Sequence, residues 1–535
     1  MTRVELKERI DLTEKEQKMF DLLLDALREN NCDTRFRVAG GWYFYTEDID
    51  IAIDNMTGSG FLEKFQNYFS RKVGEKVNVH IIKSKSKHLE TGKMRLYDQW
   101  IDFEQLRKEE PDENSRIPTK YFGTPEEDAY RRDLTINRHV LSIFILFFTR
   151  TDAMAGIDDL KSGRTTTPSP AKTIFLEDPL RVRRAIRFGI CVPFLCYYVS
   201  SVLANRLPYV MVTKFGFTLD EELKDAASSE EIRVALERKI CRERIGNEID
   251  MMISGNGPVS AVTYLSDFKL FEVVFAIPSS SEPAPTENCG SLCRAYMEAM
   301  WNLIQTPGLV NFNGEQRRLA LFAAVFLPFR KTVYKDKKGK PVLYISIDAS
   351  LHGNKNYLVQ VINIHNAAER FLPLILPLQL KDPFQLVNVD WATDVLEHWE
   401  SISLNDPEVP ATSKIRVVTG FLLRDIKDFW RVALLTSLLL YNDDDGMNLD
   451  FHLDKKREIY LTIQDNIREM MFLNEKPLMK GDKIIKEVQN GGQVVAIQDS
   501  GPIIRDWQNK SLTWKLTYPK GSAEECISWM TNKDC

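Results

Sequence analysis

Cysteine and histidine are too few and too scattered to organise a chain of 535 residues. The eight cysteines include no Cys-x-x-Cys pair. The spacings of Cys191 with Cys196 and of Cys289 with Cys293 suit neither a zinc ribbon nor a dense disulfide frame. Reduced thiols in an intracellular compartment are therefore expected. The seven histidines form no metal-like cluster. Positive charge is not in excess either: a formal net charge of −5 excludes a protein that is basic throughout. It leaves room for a local basic surface, which is all that nucleic-acid binding needs. No internal repeat or sustained heptad is present. The first residues carry Glu5, Glu8, Asp11, Glu14 and Glu16, a pattern that suits neither a signal peptide nor a transit peptide.

What remains is the composition of a soluble globular protein, 44% hydrophobic and 27% charged, with length for roughly three or four domains. One stretch organises the rest. Asp48-Ile49-Asp50-Ile51-Ala52-Ile53-Asp54 alternates with period two and reads as a β-strand. Its isoleucines share one face, and Asp48, Asp50 and Asp54 share the other. Neighbouring carboxylates repel, and a divalent cation such as Mg²⁺ between them relieves that repulsion. The plainer alternative is a half-exposed strand with a solvated acidic face. Gly40-Gly41, just upstream, closes the apolar run Phe36 to Ala39 and would let a phosphate or sugar approach the backbone.

Further along, Thr13 with Glu16 forms a capping box at a helix start. A helix is expected over Phe61 to Tyr68 and a strand over Val77 to Ile82. The basic stretch Lys83 to Arg95 reads as a mobile loop. Gln99 to Phe103 alternates again and puts Asp102 on a strand, where a further carboxylate would complete a metal-assisted phosphoryl- or nucleotidyl-transfer site. Thr124-Pro125 starts a helix with Glu126 to Asp128 at its positive end. Arg131-Arg132-Asp133 is either a surface ion-pair cluster or, through Arg132, a fork for a triphosphate. Thr165 to Pro170 reads as a linker. Beyond it, Asp178, Arg181, Arg184 and Arg187 recur every three residues and are expected on one broad helix face. That face is either merely solvated, or pairs an acceptor and forked donors for a base edge with arginines for phosphates.

Together these stretches resemble a known family. Gly40-Gly41, Asp48-x-Asp50, Arg131-Arg132-Asp133-x-Thr135-x-Asn137, the segment Glu177-Asp178 to Phe188, and Glu243-Arg244-Ile245-Gly246-x-Glu248 are similar, in order, to the motifs of class II tRNA nucleotidyltransferases, the CCA-adding enzymes. Ser86 to Thr91 and Ser115 to Pro118 resemble the eukaryotic branch. Cys241 stands where that family often has Ser. The motif-bearing resemblance spans about residues 33–260.

The resemblance implies an α+β fold, with a polymerase-β-like nucleotidyltransferase sheet followed by all-α parts. The divisions would be a head over 1–165, a nucleotide-selecting neck over 166–260, a body over 261–420 and a tRNA-binding tail over 421–535. It implies that Asp48 and Asp50 hold Mg²⁺ with Asp102 assisting, and that the tRNA 3′-hydroxyl attacks the α-phosphate of CTP or ATP. Gly40, Gly41 and Arg132 would contact the nucleotide. Asp178 and Arg181 would choose C or A, Arg184 and Arg187 would support the triphosphate, and Glu243 and Arg244 belong to the last neck motif. The partners implied are tRNA, CTP and ATP, with no membrane and no obligate protein partner. A cytoplasmic or nuclear location is implied, with organellar forms through alternative starts.

The chain departs from the family pattern in three places. The arginine expected after the glycine pair is missing, and only Tyr43 to Glu47 separates Trp42 from Asp48. Arg138-His139 and the apolar run Val140 to Phe148 stand where a strand–turn–strand is expected. An extra apolar segment, Ile190 to Thr213, is long enough for a membrane helix, but Pro193, Asn205, Arg206 and Pro208 argue against one. Two alternatives follow: a catalytically impaired tRNA-binding homologue, or a poly(A) or partial CC- or A-adding enzyme. The C-terminal half reads as helical, with helices around Leu292 to Gln305, Gly314 to Val325, Val359 to Arg370, Trp391 to Ser401 and Leu422 to Leu440. The basic run Lys335 to Lys340 reads as a solvated turn, and none of these stretches carries a chemical motif.

Overall fold

The computed structural model describes residues 12–39, 49–74, 78–83, 90–110, 119–135, 140–144, 147–150, 159, 164–191, 218–255, 257–275, 281–283, 289–335, 341–343, 355–380, 409, 413–441, 452–469 and 500–532. The chain forms two compact units, Met1–Phe275 and Ala276–Cys535. Strands with helices come first and an almost wholly helical stretch follows, so the fold is α+β.

The first unit opens with α1 (Glu14–Glu29), whose Thr13/Glu16 capping box is formed as expected. A seven-stranded sheet follows, built from β1 (Phe36–Ala39), β2 (Ile49–Ile53), β3 (Val79–Lys83), β4 (Glu90–Leu96), β5 (Gln99–Gln105), and two later strands. Helix α2 (Gly58–Val73) lies between β2 and β3 in sequence. β6 (Arg107–Glu110) and β7 (Thr119–Phe122) form a separate antiparallel ribbon leading into α3 (Pro125–Tyr130). β8 (Val140–Phe144) and β9 (Phe147–Arg150) then complete the sheet, in the order β3-β4-β5-β2-β1-β8-β9. Neighbours are antiparallel except β2 and β5, which run parallel.

Period-two alternation does in β2 what the sequence predicts. Ile49, Ile51 and Ile53 are buried and Asp50 is half-buried on the opposite face. The isoleucines join Phe61, Leu62, Phe65 and Tyr68 of α2 and Phe103 of β5 in one apolar core. Each such side chain contributes about 1.5–3 kcal/mol by leaving water. That burial fixes the register, because a one-residue slip would turn the isoleucines out and the aspartates in.

Two expectations are corrected here. The stretch read as a mobile loop contains β4, which pairs with both β3 and β5; only residues 84–89 of it lie outside the described residues. Its Gly92 is no loop breaker. A Cβ there would come within 2.6 Å of Leu62 Cδ1, and one at Gly58 within 2.1 Å of the Phe103 carbonyl oxygen. The first turn of α2 therefore lies directly on the β4 and β5 backbones, which only glycine allows. The run Val140 to Phe148 supplies a strand pair after all: β8 and β9 are antiparallel neighbours at the sheet edge.

The rest of this unit is helical. β10 (Arg164–Thr165) pairs in parallel with β11 (Thr218–Leu219), so the stretch read as a linker begins as structured chain. The helices are α4 (Ala171–Glu177), α5 (Leu180–Cys191), α6 (Glu221–Ala227), α7 (Glu230–Lys239), α8 (Arg242–Ser254), α9 (Pro258–Asp267) and α10 (Phe271–Phe275). Most of the apolar segment Ile190 to Thr213 lies outside the described residues. No helix among the described residues is long and apolar enough to cross a membrane.

The second unit carries α11 (Cys289–Gln305), α12 (Gly314–Phe326), the short hairpin β12 (Val333–Lys335) and β13 (Pro341–Leu343), and α13 (Lys355–Phe371). It continues with α14 (Ile375–Leu380), α15 (Ser413–Ile426), α16 (Trp430–Leu440), α17 (Leu453–Glu469), α18 (Ser500–Thr517) and α19 (Ala523–Asn532). The single helix expected to end at Leu440 is two helices, α15 and α16, joined by a 3₁₀ turn at Lys427–Phe429. The helix expected over Trp391 to Ser401 lies outside the described residues. Cys32, Cys241, Cys289, Cys293 and Cys526 form no disulfide.

Candidate active site

The sheet face opposite the isoleucines carries the first cluster. In the parallel pairing of β2 with β5, Asp50 stands opposite Asp102, and in-register residues of neighbouring strands share a face. Across β4, Lys93 is the antiparallel partner of Asp102, and its Nζ lies 3.2 Å from Asp102 Oδ1. The same ammonium sits 5.2 Å from the centre of the Trp100 ring. Asp50 and Asp102 thus offer hard oxygen donors side by side, which fits a divalent cation. Among the described residues no group of three or more His, Cys, Asp or Glu gathers as a metal site. Gly40, Gly41 and Asp48, singled out from the sequence, lie outside the described residues.

The second cluster is built around arginines. α3 begins at Thr124, whose hydroxyl accepts from Glu127 N–H while Glu127 returns a bond to Thr124 N–H. This places Asp128, only 1% exposed, beneath the following Arg131-Arg132-Asp133. Arg132 donates to Asp128 Oδ2 from Nε at 3.2 Å and Nη2 at 2.8 Å. Arg131 Nε donates to Oδ1 at 2.9 Å, and Arg107 N–H of β6 donates to the same oxygen at 3.2 Å. Burial pushes the Asp128 carboxyl up, but the Arg132 and Arg131 guanidiniums outweigh it and hold it below its ordinary value. Burial likewise pushes Arg131 down, against the pull of Asp128. The sequence reading gave Asp128 only a favourable place at a helix start; the structure makes it the hub.

α5 meets this segment through its arginines. Arg181 Nη1 donates to Glu177 at 3.2 Å and Nη2 to the Arg131 carbonyl oxygen at 3.2 Å. Arg184 Nε pairs with Asp133 Oδ2 at 2.7 Å. Arg187 Nε donates to Glu248 Oε2 at 2.8 Å, on α8. Asp178 is not on the helix face with them, which corrects the three-residue periodicity. It sits in extended backbone between α4 and α5, and its Oδ1 accepts from Leu180 N–H at 3.1 Å. An Asp that satisfies an otherwise orphan amide there starts a helix rather than continuing one. Its Oδ2 accepts from Arg244 Nη2 at 3.3 Å, so two stretches 66 residues apart in sequence meet in space. Glu243, beside Arg244, is exposed at the first turn of α8. Cys241 occupies the cap of α8 and makes no side-chain capping bond.

One group escaped the sequence reading entirely. Asp159 Oδ2 accepts from the hydroxyls of Thr135 at 2.7 Å and Thr166 at 2.8 Å, while Thr135 N–H donates to the Thr166 carbonyl oxygen at 2.9 Å. Thr135 is thereby tied to the chain entering the helical part. Asp158-Asp159, a carboxylate pair next to no recognisable motif, gives no signal of this in sequence.

Residues 39–166 match the family described as the poly A polymerase head domain. Along nearly its whole length the chain is similar to the mitochondrial CCA tRNA nucleotidyltransferase of Saccharomyces cerevisiae, at 27% identity over 97% of this chain and 93% of that one. It is 25% identical to the tRNA nucleotidyltransferase cca2 of Schizosaccharomyces pombe, over 98% of each. Among solved structures, a CCA-adding enzyme in an apo form aligns over 98% of this chain and 96% of its own, at 17% identity and a TM-score of 0.57, a likeness of fold.

Proposed function

We infer that this chain belongs to the CCA-adding tRNA nucleotidyltransferases, and that it builds CCA at tRNA 3′ ends from CTP and ATP without a nucleic-acid template. The observation that carries this is the pair Asp50 and Asp102, in register on parallel strands of a sheet whose chain resembles such enzymes almost end to end. The poly(A) alternative has less behind it, because the poly A polymerase description covers only residues 39–166.

In this reading Asp48 and Asp50 would hold Mg²⁺, with Asp102 assisting. Bound there, the cation would offset phosphate charge and ease ionisation of the attacking hydroxyl. The tRNA 3′-oxygen forms a bond to the α-phosphorus, the α–β bridge breaks, and pyrophosphate leaves. Gly40 and Gly41 lie against the sugar or phosphate. Arg132, steadied by Asp128, faces the nucleotide with a preset fork. Asp178 keeps acceptor capacity beyond its two bonds and, with Arg181, reads the base edge. Arg184 and Arg187 support the triphosphate. Residues 1–165 act as head, 166–260 as neck, 261–420 as body and 421–535 as tail, the last holding tRNA. A cytoplasmic or nuclear pool is accompanied by an organellar one, as the mitochondrial naming of the budding-yeast relative suggests.

The test is incorporation of labelled CTP and ATP into tRNA ending before CCA. Ordered addition of two C and one A, dependent on Mg²⁺ and abolished by Asp50→Ala, is expected. A folded, tRNA-binding chain that adds nothing would sink the reading.

A further inference from the structure

Arg183 lies on α5 between two arginines already assigned to the nucleotide, yet it points the other way. It is 0% exposed, among the buried Val182, Ala185 and Ile186. Its Nε, Nη1 and Nη2 find no hydrogen-bond partner among the described residues. Burial pushes the guanidinium down to about 9; Glu248 is its strongest attraction and Asp178 a weaker one, while Arg242 and Arg244 repel it. A buried cation left unpaired is among the most unfavourable arrangements in a protein core.

Its neighbour four residues on supplies the reason to keep it. Arg187 holds Glu248, itself only 6% exposed, through one bond of 2.8 Å. Residues four apart on a helix are adjacent on its surface. Arg183 therefore lies one turn from the guanidinium that holds Glu248. If Arg187 turns to a phosphate, Glu248 is left as a buried carboxylate without a partner unless another cation takes it.

We propose that Arg183 is a positioning residue that takes over Glu248 when Arg187 engages the triphosphate of an incoming nucleotide. This rests on the nucleotidyltransferase reading. In the free protein Arg183 is the unsatisfied group. In the nucleotide-bound protein Arg187 has phosphate, Glu248 has Arg183, and none of the three is left over. The exchange gives the ligand a differential interaction with the two states, which is what shifts a population.

The test combines Arg183→Met with Glu248→Gln. Free Arg183→Met protein is expected to melt a few degrees higher, because an unpaired buried charge has been replaced by an apolar side chain. Its dissociation constant for CTP with Mg²⁺ is expected to weaken about tenfold, the size of a typical coupling between groups that act together. Arg183→Lys should restore part of the affinity. In the Glu248→Gln background, where the amide needs no counter-ion, Arg183→Met should leave CTP affinity unchanged. An unaltered affinity in the single variant, or the same loss in both backgrounds, overturns the exchange while leaving the activity standing. An unsubstituted chain that fails to bind CTP overturns the nucleotidyltransferase reading, and the exchange with it.

Discussion

Asp102 is shared between two neighbours: Asp50 stands opposite it on the parallel strand β2, and Lys93 opposite it on the antiparallel strand β4. The lysine at 3.2 Å does for the resting site part of what a cation would do, offsetting the repulsion of adjacent carboxylates. A divalent ion bound there would share Asp102 with an ammonium.

Lys93→Met is therefore expected to lower the Mg²⁺ concentration for half-maximal CTP incorporation by roughly threefold to tenfold, since a competing charge near the carboxylates is gone. A Mg²⁺ titration of initial rates measures it. An unchanged or raised midpoint would show that Lys93 does not compete for Asp102.

Asp128→Asn keeps the shape of the hub and removes its charge, leaving Arg131 and Arg132 without their common counter-ion. Loss of about 3 kcal/mol of stability is expected, as for one partner of a buried pair. A rise in KM for CTP should accompany it as the Arg132 fork loosens. Because the folded carboxyl is held below its ordinary value, its stabilisation is present above the ordinary carboxylate range and fades as acid titrates it. Chemical denaturation between neutral and acid pH should thus show a shallower acid loss in the variant than in the unsubstituted chain.

His365 gives the second unit a separate pH signature. Its Nε2 donates to the Ala323 carbonyl oxygen at 2.7 Å, and burial pushes the imidazole down to about 4. Near neutrality both folded and unfolded states are uncharged and nothing is lost. Below about 6.5 the unfolded chain takes a proton that the folded chain refuses, so stability falls by about 3 kcal/mol as pH approaches 4. His365→Gln removes that titration, and melting curves of the two proteins from pH 7 to pH 5 should separate. Parallel curves would disprove it.

Cys241 sits at the cap of α8, and its side chain makes no capping bond. A serine hydroxyl accepts from the orphan amides of a first turn, so Cys241→Ser is expected to stabilise the chain by about 1 kcal/mol. Thermal melting of the variant reads this directly, and a lower midpoint would show that the site cannot take the bond.

How far the sequence could be read follows from the range of the interactions involved. β2 and the Thr13 and Thr124 helix starts rest on neighbours within a few residues, and their patterns are plain in the chain. β4 was missed because Gly92 and the polar residues around it resemble a loop, although Gly92, Met94 and Leu96 alternate with Thr91, Lys93 and Arg95. The glycine is there for α2, which only the folded chain reveals. Asp178 was misplaced because a residue two positions ahead of a helix keeps the helical count. The arginine assignments were legible as residues but not as pairs, since Arg187 finds Glu248, Arg181 finds the Arg131 carbonyl and Arg244 finds Asp178 across long stretches of sequence.

The contact of Gly58 with Gly92 and Phe103 bears on how this protein can drift. A methyl group at Gly58 would press on the backbone of Phe103, the residue after Asp102, and one at Gly92 on Leu62 of α2 and the backbone of Gly58. Relieving that pressure would shift α2 against β4 and β5, and β5 is the strand that carries Asp102. Two residues with no side chain of their own thus hold a veto over inherited change in a carboxylate pair they never touch.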